Sequence, residues 1–201
     1  MIGPSLRNLQ RDERGVSAIE FGILSVPLLV MLMGFGEMGY ESYVKSNLQG
    51  TLNDVARAAV VESPKVGTGT DPIETRIKDE VKARMETLVK GGTYNFDLLN
   101  YTNFDQVGKP EALVTDVNGN GQYDAGDCWE DSNANKTFDL DSGSSGLGGA
   151  DDVMVYNVKL TATHLFPIQK LIGGGDTFDV SASALVRIQP YGKQREPEVE
   201  C

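Results

Sequence analysis

The feature that most constrains this chain is an apolar run near its N-terminus that contains a single charge. The run extends over 21 residues from Val16 to Gly36, and Glu20 is its only charged side chain. An α-helix rises about 1.5 Å per residue, so a run of this length just crosses a bilayer core of roughly 30 Å. The sequence therefore predicts a transmembrane helix at residues 16–38.

The apolar spacing continues beyond this run. Apolar residues recur at helical intervals at Val44, Leu48, Leu52 and Val55. A secretory signal peptide has an apolar region of only about 7–15 residues, so the length of the pattern argues against that alternative. We expect one long helix that leaves the membrane and continues as an amphipathic segment over residues 39–62.

The distribution of charge predicts the orientation and excludes one class of partner. Three arginines precede the apolar run, at Arg7, Arg11 and Arg14, whereas the nearest basic residue after it is Lys45. Basic flanks favour the cytoplasmic side, so the N-terminus is expected there and residues 63–201 are expected to be extracytoplasmic. The net charge of −11 argues against nucleic acid as a partner, because phosphate binding requires clustered basic residues.

Residues 63–201 are predicted to form one α+β domain. Asp71 is expected to cap a second helix at Pro72–Lys90, which Gly91 and Gly92 would end. Alternating apolar residues predict strands at three places, and these would form a small antiparallel sheet packed on the long helix. The three strands are expected at residues 94–98, 153–160 and 178–188.

A twelve-residue segment between these strands has the spacing of an EF-hand-type calcium loop. Oxygen-bearing side chains stand at its positions 1, 3, 5, 9 and 12, and glycine stands at position 6. Calcium takes about six to eight oxygen ligands, and the main-chain carbonyl of position 7 would add one. Because no flanking helices are expected, the segment is predicted to be a dockerin-like or other calcium loop. The predicted ligands are Asp116, Asn118, Asn120, Gln122, Asp124 and Asp127.

A degenerate copy of this loop starts at Asp131. Lysine replaces the glycine of position 6, and position 12 is Ser142, a weak ligand for which Asp141 is the possible substitute. The alternative is an Asp- and Asn-rich surface loop that binds no metal, since these residues favour turns. Residues 142–149 are expected to be a flexible connector. The predicted ligands are Asp131, Asn133, Asn135, Thr137 and Asp139, so the acidic loops together occupy residues 116–142.

Four short motifs stand out in the N-terminal part of the chain. They are Arg14-Gly15-Val16-Ser17-Ala18-Ile19-Glu20-Phe21, Pro27, Leu28-Leu29-Val30 and Gly36-Glu37-Met38-Gly39. The first resembles the prepilin peptidase site of type IV pilins, and together they resemble the TadE-like pseudopilins strongly over residues 11–61. A weaker resemblance lies at residues 184–191, where Gln189 replaces the glutamate of the family.

This resemblance implies a processed membrane subunit. Cleavage after Gly15 would remove residues 1–15 as a cytoplasmic leader and place Glu20 at the fifth position of the mature chain. The new amine of Val16 would then pair with the Glu20 carboxylate of a neighbouring subunit; the alternative is that Glu20 reaches the membrane surface. The implied partners are prepilin peptidase, other pilin or pseudopilin subunits, and the Tad assembly platform of the inner membrane.

The implied function is that of a minor pilin or pseudopilin in a Tad type IV pilus, which serves adhesion and surface attachment. Its place would be the inner membrane, with a periplasmic domain, and the pilus or cell surface after assembly. A second hypothesis is an uncleaved single-pass protein with a calcium-binding interaction domain. An enzyme is disfavoured, because the one histidine, His164, is expected at a strand face or end, and no nucleophile motif is present.

The two cysteines, Cys128 and Cys201, are too few for a zinc site. An oxidising compartment would allow them to form a disulfide, but Cys201 is the last residue, where chains often fray. The sequence leaves their pairing open.

Overall fold

The computed structural model describes residues 15–61, 64, 66, 67, 70–166, 168–171, 173–189 and 192–201. The predicted leader lies outside the described residues except for Gly15, and so do the three arginines used to predict the orientation. The chain divides into two compact units. The first contains the chain up to Ser42 together with Thr163–Thr177, and the second contains Tyr43–Ala162 together with Phe178–Cys201.

One long helix, α1, extends over Val16–Ala59 and contributes residues to both units. Its N-terminal part is long and apolar enough to cross a membrane, and none of its most apolar stretch is buried. The expected long apolar helix is therefore confirmed. The helix ends at Ala59, and the carbonyl of the next residue, Val60, accepts a hydrogen bond from the N–H of Gln189.

In the second unit, one side of α1 is buried and contributes to the core. Helix α2, Ile73–Glu86, buries Ile77, Val81 and Met85. It begins after Pro72, whose extended backbone (ψ 140°) lies outside the helix, so the prediction that Asp71 caps a helix beginning at Pro72 was wrong by one residue. The buried residues of α1 in this unit are Val44, Leu48, Leu52, Val55 and Ala56.

The helix α2 is also shorter than predicted at its C-terminal end. Its last helical residue is Glu86, and the N–H groups of Leu88 and Val89 both donate to the carbonyl of Met85 in a closing turn. Gly91 adopts a left-handed backbone (φ 68°) that a residue with a side chain rarely adopts, and this ends the turn where the sequence predicted it.

A four-stranded sheet has the order β4–β1–β5–β6. Its strands are β1 Thr93–Tyr101, β4 Ser144–Ser145, β5 Val153–Thr163 and β6 Thr177–Arg187. β1 pairs with β5 in antiparallel register from Thr93 opposite Thr161 to Tyr101 opposite Val153. β6 alternates buried and exposed residues as its sequence predicts, whereas β5 buries Val153, Met154, Val155 and Tyr156 in succession. Val153 and Val155 do so in a small core cluster of their own with Tyr101.

The edge of this sheet at β6 is partly covered by α1. The side-chain amide of Gln49 donates to the carbonyl of Ser183 (2.7 Å) and its oxygen accepts the N–H of the same residue (3.3 Å). The side chain of Gln49 therefore makes the two hydrogen bonds that a residue of a neighbouring strand would make. It blocks part of an edge that would otherwise be open to pairing with another chain.

The prediction of a flexible connector at residues 142–149 was wrong. Ser144 and Ser145 form β4, which pairs with Asn100 and Leu99 of β1. Two glycines permit this close packing: a Cβ at Gly143 would lie 2.7 Å from the ring of Tyr101, and a Cβ at Gly148 would lie 2.8 Å from Asp152. These two glycines suggested flexibility in the sequence. In the structure they are instead needed because a side chain at either position would clash with its neighbour.

A second, three-stranded antiparallel sheet in this unit was not predicted. Its order is β2–β3–β7, from Leu113–Thr115, Cys128–Asp131 and Glu198–Glu200. Strands of three or four residues show too little alternation to be recognised in a sequence. β7 brings the end of the chain beside β3, where a disulfide joins Cys128 to Cys201.

We expect loss of this disulfide to destabilise the domain. The bond joins residues 73 positions apart, and a native disulfide of this kind typically contributes about 2–4 kcal/mol. Replacing both cysteines (Cys128→Ser with Cys201→Ser) should therefore lower the urea midpoint, which can be measured on the full chain in detergent through the fluorescence of Trp129, its only tryptophan. Reductant should reproduce the shift in the native chain and leave the variant unchanged; equal midpoints for the two proteins would contradict the expectation.

Candidate functional site

The first acidic loop connects β2 to β3 and is organised by carboxylates that accept hydrogen bonds from the main chain. The carboxylate of Asp116 accepts the N–H groups of Gly119 (2.6 Å) and Gly121 (2.7 Å). The side-chain amides of Asn118 and Asn120 donate to one oxygen of Asp124, at 2.8 and 2.7 Å. Four predicted ligands thus converge on one short loop.

Asp127, at position 12, closes this loop. Its two carboxylate oxygens accept the N–H of Val117 (2.9 Å) and the N–H of Asp124 (2.8 Å), while its own N–H donates to the carbonyl of Asp124 (3.1 Å). One residue therefore holds position 2 and position 9 together. The N–H of Gln122, at position 7, donates to the side-chain oxygen of Asn120 (2.6 Å).

The second loop repeats most of these contacts at equivalent positions. The carboxylate of Asp131 accepts the N–H groups of Asn135 (3.1 Å) and Lys136 (2.9 Å). The amides of Asn133 and Asn135 donate to one oxygen of Asp139, at 2.7 and 2.6 Å. The N–H of Thr137 donates to the side-chain oxygen of Asn135 (2.7 Å), as Gln122 does in the first loop.

The two loops share an unusual backbone as well. Positions 4 and 6 of the first loop are Gly119 and Gly121, with φ of 71° and 73°. The same positions of the second loop are Ala134 and Lys136, with φ of 59° and 63°, although a left-handed backbone costs a residue with a side chain about 1–2 kcal/mol. The second loop therefore keeps the conformation of the first without its glycines.

The two residues considered for position 12 of the second loop make hydrogen bonds outside the loop. The side chain of Asp141 accepts the N–H of Gly143 (3.1 Å) and hydrogen-bonds the hydroxyl of Tyr101. The hydroxyl of Ser142 donates to the carbonyl of Gln106 (3.2 Å). Both residues belong to the chain that leads from the loop toward β4.

Glu111, which the sequence analysis did not single out, lies against the second loop. Its carboxylate oxygens accept the N–H of Ser132 (2.8 Å) and the N–H of Asp139 (3.1 Å). It precedes β2, 20 positions before Asp131, and no local pattern in the sequence marks it. Only the folded chain brings it to the loop.

Aromatic rings pack between the two loops. Tyr123 stands at position 8 of the first loop and Phe138 at position 8 of the second. Their rings stack with centroids 4.3 Å apart and an angle of 10° between their planes. Trp129 of β3 packs edge-on to both rings, at 5.1 and 6.3 Å. The loops therefore form a pair related by equivalent positions, with an aromatic cluster between them.

The electrostatics of the loops differ with burial. The N–H of Gly121, with those of Gly119 and Asn120, lowers the pKa of Asp116, and the amides of Asn118 and Asn120 lower the pKa of Asp124. Burial raises the pKa of Glu111, the charges of Asp131 and Asp139 add to the rise, and the N–H groups of Asp139 and Ser132 oppose it. Glu111 is therefore a carboxylate whose charge its surroundings only partly stabilise.

A second polar cluster lies in the first unit, where the apolar run ends. Glu37 of α1 is 5% exposed, and its carboxylate accepts the N–H groups of Leu165 (3.0 Å) and Phe166 (2.9 Å). The Nδ1 atom of His164, directly after β5, lies 2.9 Å from the same carboxylate. A Cβ at Gly36 would lie 3.1 Å from the ring of Phe166. Glycine at this position therefore leaves room for the ring next to the hydrogen bonds that Glu37 accepts.

The residues predicted to be processed lie at the start of α1. Gly15 precedes the helix, and its carbonyl accepts the N–H of Ile19 (3.2 Å). Glu20 and Phe21 are exposed on the helix surface. The predicted strand-end position of His164 agrees with the structure, but its contact with Glu37 was not foreseen.

In the described residues, these observations define an exposed apolar helix, able by length and composition to cross a membrane, and an α+β domain that carries paired acidic loops. The model of the family of TadE-like proteins matches residues 15–57. The predicted resemblance to this family is thereby confirmed for the helix, and the match does not extend to residues 184–191. No curated protein and no solved structure matches the chain.

We expect Glu37→Gln to loosen the segment that follows β5. Hydrogen bonds to a charged acceptor contribute about 1.5–3 kcal/mol each, so the amides of Leu165 and Phe166 should exchange with solvent roughly tenfold faster or more. Hydrogen exchange on the full chain in detergent measures this directly. Glu41→Gln is the matched control, because Glu41 lies on the same helix, 3.6 Å from Nδ1 of His164. Equal exchange rates in the two variants would contradict the expectation.

Proposed function

We propose that this protein is a TadE-like minor pilin or pseudopilin that takes part in the assembly or structure of a Tad type IV pilus, and so in adhesion and surface attachment. The observation that carries the proposal is the match to the TadE-like family over residues 15–57, which coincides with the exposed apolar part of α1 and its amphipathic continuation. In this proposal a prepilin peptidase cleaves after Gly15, and the mature chain begins at Val16.

Position and charge support a role for Glu20 in assembly. Glu20 is exposed four residues after Val16, within an apolar stretch where an unpaired carboxylate is costly. Cleavage creates an amine at Val16, and the Glu20 of a neighbouring subunit would neutralise it at the same depth. The pairing would favour one stagger between subunits. The partners would be other pilin or pseudopilin subunits and the Tad platform of the inner membrane.

We further propose that the periplasmic domain binds calcium through its acidic loops. The supporting observation is the set of side chains: residues with carboxylate or amide oxygens stand at positions 1, 3, 5, 9 and 12 of one loop and are linked to it by hydrogen bonds, and hard oxygen ligands suit calcium. Asp127 is only 1% exposed, and among the described residues no basic side chain forms an ion pair with it. A bound cation would supply the missing positive charge.

The alternative is an uncleaved single-pass membrane protein whose calcium-binding domain recognises a partner, without any pilus. It uses the same helix and the same loops, but it requires no peptidase. The cleavage experiment separates the two functions, whereas calcium binding is common to both.

We expect the protein to begin at Val16 when it is recovered from membranes that contain a prepilin peptidase, and at Met1 when the peptidase is deleted. Intact mass measurement of the purified chain decides this. A chain that begins at Met1 in both strains would overturn the pilin proposal and favour the uncleaved alternative.

Two glycine variants sharpen the cleavage test. A Cβ at Gly15 or at Gly22 would meet no atom within 4 Å, so neither substitution disturbs the fold. Gly15→Val should abolish the cleavage because it alters the residue at the cut, whereas Gly22→Ala should leave it intact. Cleavage of both variants would mean that the peptidase does not recognise Gly15.

For calcium, we expect Asp116→Asn to weaken binding to the first loop by about tenfold or more, because calcium affinity depends on the number of charged ligands. Titration calorimetry of the full chain in detergent measures the change. Asp54→Asn on the exposed surface of α1 is the control for loss of one negative charge. If the native chain takes up no calcium, the metal proposal fails while the pilin proposal stands.

A further inference from the structure

We propose that Glu37, Glu41 and His164 form a binding site for one divalent transition-metal ion, of which zinc is the best fit. The two glutamates lie on α1, where the apolar run ends, and His164 directly follows β5. All three residues belong to the first unit of the chain. The inference depends neither on the pilus nor on calcium in the acidic loops, because it concerns a different part of the molecule.

The ligand atoms of these three residues lie close together. The Nδ1 atom of His164 is 2.9 Å from Oε1 of Glu37 and 3.6 Å from Oε1 of Glu41. One ligand atom from each residue lies within 4.8 Å of the other two. Tetrahedral zinc, with bonds of about 2.0–2.1 Å to nitrogen and oxygen, places its ligand atoms about 3.3 Å apart. The two distances from Nδ1 bracket this value, so small side-chain movements would bring the three atoms onto one ion.

Regular backbone positions the two carboxylates. Glu37 and Glu41 are four residues apart on α1, so their side chains lie on the same face of the helix. His164 is 127 positions from Glu37 in sequence and reaches the same face only in the folded chain. No motif in the sequence therefore marks the set, although each of its members is a common metal ligand.

Main-chain hydrogen bonds hold the carboxylate of Glu37 in place. Its Oε1 atom accepts the N–H of Leu165 (3.0 Å), and its Oε2 atom accepts the N–H of Phe166 (2.9 Å). Carboxylates that bind metals are ordinarily oriented by hydrogen bonds of this kind. A carboxylate oxygen that accepts one hydrogen bond still has a further lone pair, so Oε1 remains able to bind an ion.

The charge of the cluster calls for more than a proton. The side chains of Glu37 and His164 are only 7% and 10% exposed, and buried charges are ordinarily paired or coordinate a metal. Within the part of the chain that the structure describes, neither Glu37 nor Glu41 has an ion pair with a lysine or arginine. Lys170 of the same unit pairs with Asp176 (3.0 Å). A protonated histidine would balance one of the two carboxylates, whereas a divalent ion balances both.

The donor atoms favour a transition metal over calcium. Imidazole nitrogen suits zinc and its neighbours, whereas calcium takes six to eight oxygen ligands. The acidic loops offer oxygen ligands, so the two kinds of site would select different ions. Zinc held by three protein ligands keeps a fourth position for water.

The cluster is accessible to an ion and to water. The side chain of Glu41 is 36% exposed, in contrast to the other two ligands. A cavity of about 260 Å³ lies beside His164 and is lined in part by Phe166 and Gln169. An ion could therefore enter past Glu41, and the cavity provides room for water beside the histidine.

A bound ion would fasten the segment after β5 to α1. Without metal, the described contacts of Glu37 with this segment are the hydrogen bonds from Leu165 and Phe166 and the contact with His164. Metal binding to the folded arrangement adds its free energy to the stability of that arrangement. Zinc should therefore suppress local opening where the apolar run ends.

The single histidine of the chain gives a direct test. The full chain without an affinity tag, in detergent and freed of metal by a chelator, is titrated with zinc while the imidazole nitrogen signals are followed by NMR. These signals belong to His164 alone, so zinc bound to the acidic loops does not move them. The Nδ1 signal should shift and saturate at one responding ion per chain. An unchanged signal in excess zinc would overturn the inference.

A matched pair of variants tests the second carboxylate. Glu41→Gln keeps Glu37 and its two main-chain hydrogen bonds, and it should lower the zinc affinity read from the His164 signal at least tenfold. This follows because the loss even of a residue that only orients a ligand costs about 10–100-fold. Asp54→Asn removes one carboxylate from the exposed surface of the same helix and should bind zinc as the native chain does. Native affinity in Glu41→Gln, or an equal loss in Asp54→Asn, would contradict the assignment.

Hydrogen exchange on the native chain guards against a misfolded variant. Zinc should slow exchange at the amides of Leu165 and Phe166 by tenfold or more, and a tenfold excess of calcium over zinc should leave this protection in place. The amide of Ile188, which donates to the carbonyl of Asp152 (2.8 Å) in the second unit, should exchange at the same rate with and without zinc. Unchanged exchange at Leu165 and Phe166, or protection that calcium removes, would overturn the inference.

Discussion

The second unit depends on the buried side of α1. Val44, Leu48, Leu52 and Val55 are almost completely buried, and Gln49 on the same helix covers the edge of β6. The earlier part of the same helix is apolar and exposed. An apolar surface of this size is ordinarily covered by a membrane or by a partner helix. The two parts of this helix thus have different surroundings. For this reason its apolar residues are confined to one side in the later part but not in the apolar run.

Carboxylates that accept main-chain N–H groups organise the acidic loops and the segment after β5. Glu37 does so where the apolar run ends, and Asp116, Asp127, Asp131 and Glu111 do so in the loops. Such hydrogen bonds stabilise charge, but they do not neutralise it when several carboxylates are buried close together. For the loops, we propose that a divalent cation supplies the balancing positive charge.

The proposed function joins a helix that matches the TadE-like family to a domain outside that match. The TadE-like match ends at residue 57, so the sheets and loops lie outside it. A subunit of this kind would use α1 for processing and assembly, and its domain for contacts outside the membrane. In the proposed function, export to an oxidising compartment would allow the disulfide between Cys128 and Cys201 to form.

The sequence by itself determined the elements whose signal is local. Helical spacing predicted α1 and α2, alternation predicted β1, β5 and β6, and ligand spacing predicted the first loop, because in each case neighbouring residues carry the pattern. Tertiary structure alone decided the pairing of β2, β3, β4 and β7, the contact of Glu37 with His164, and the place of Glu111. Those features depend on which distant segments meet, and hydrogen-bond partners separated by tens of residues leave no periodic trace in either segment.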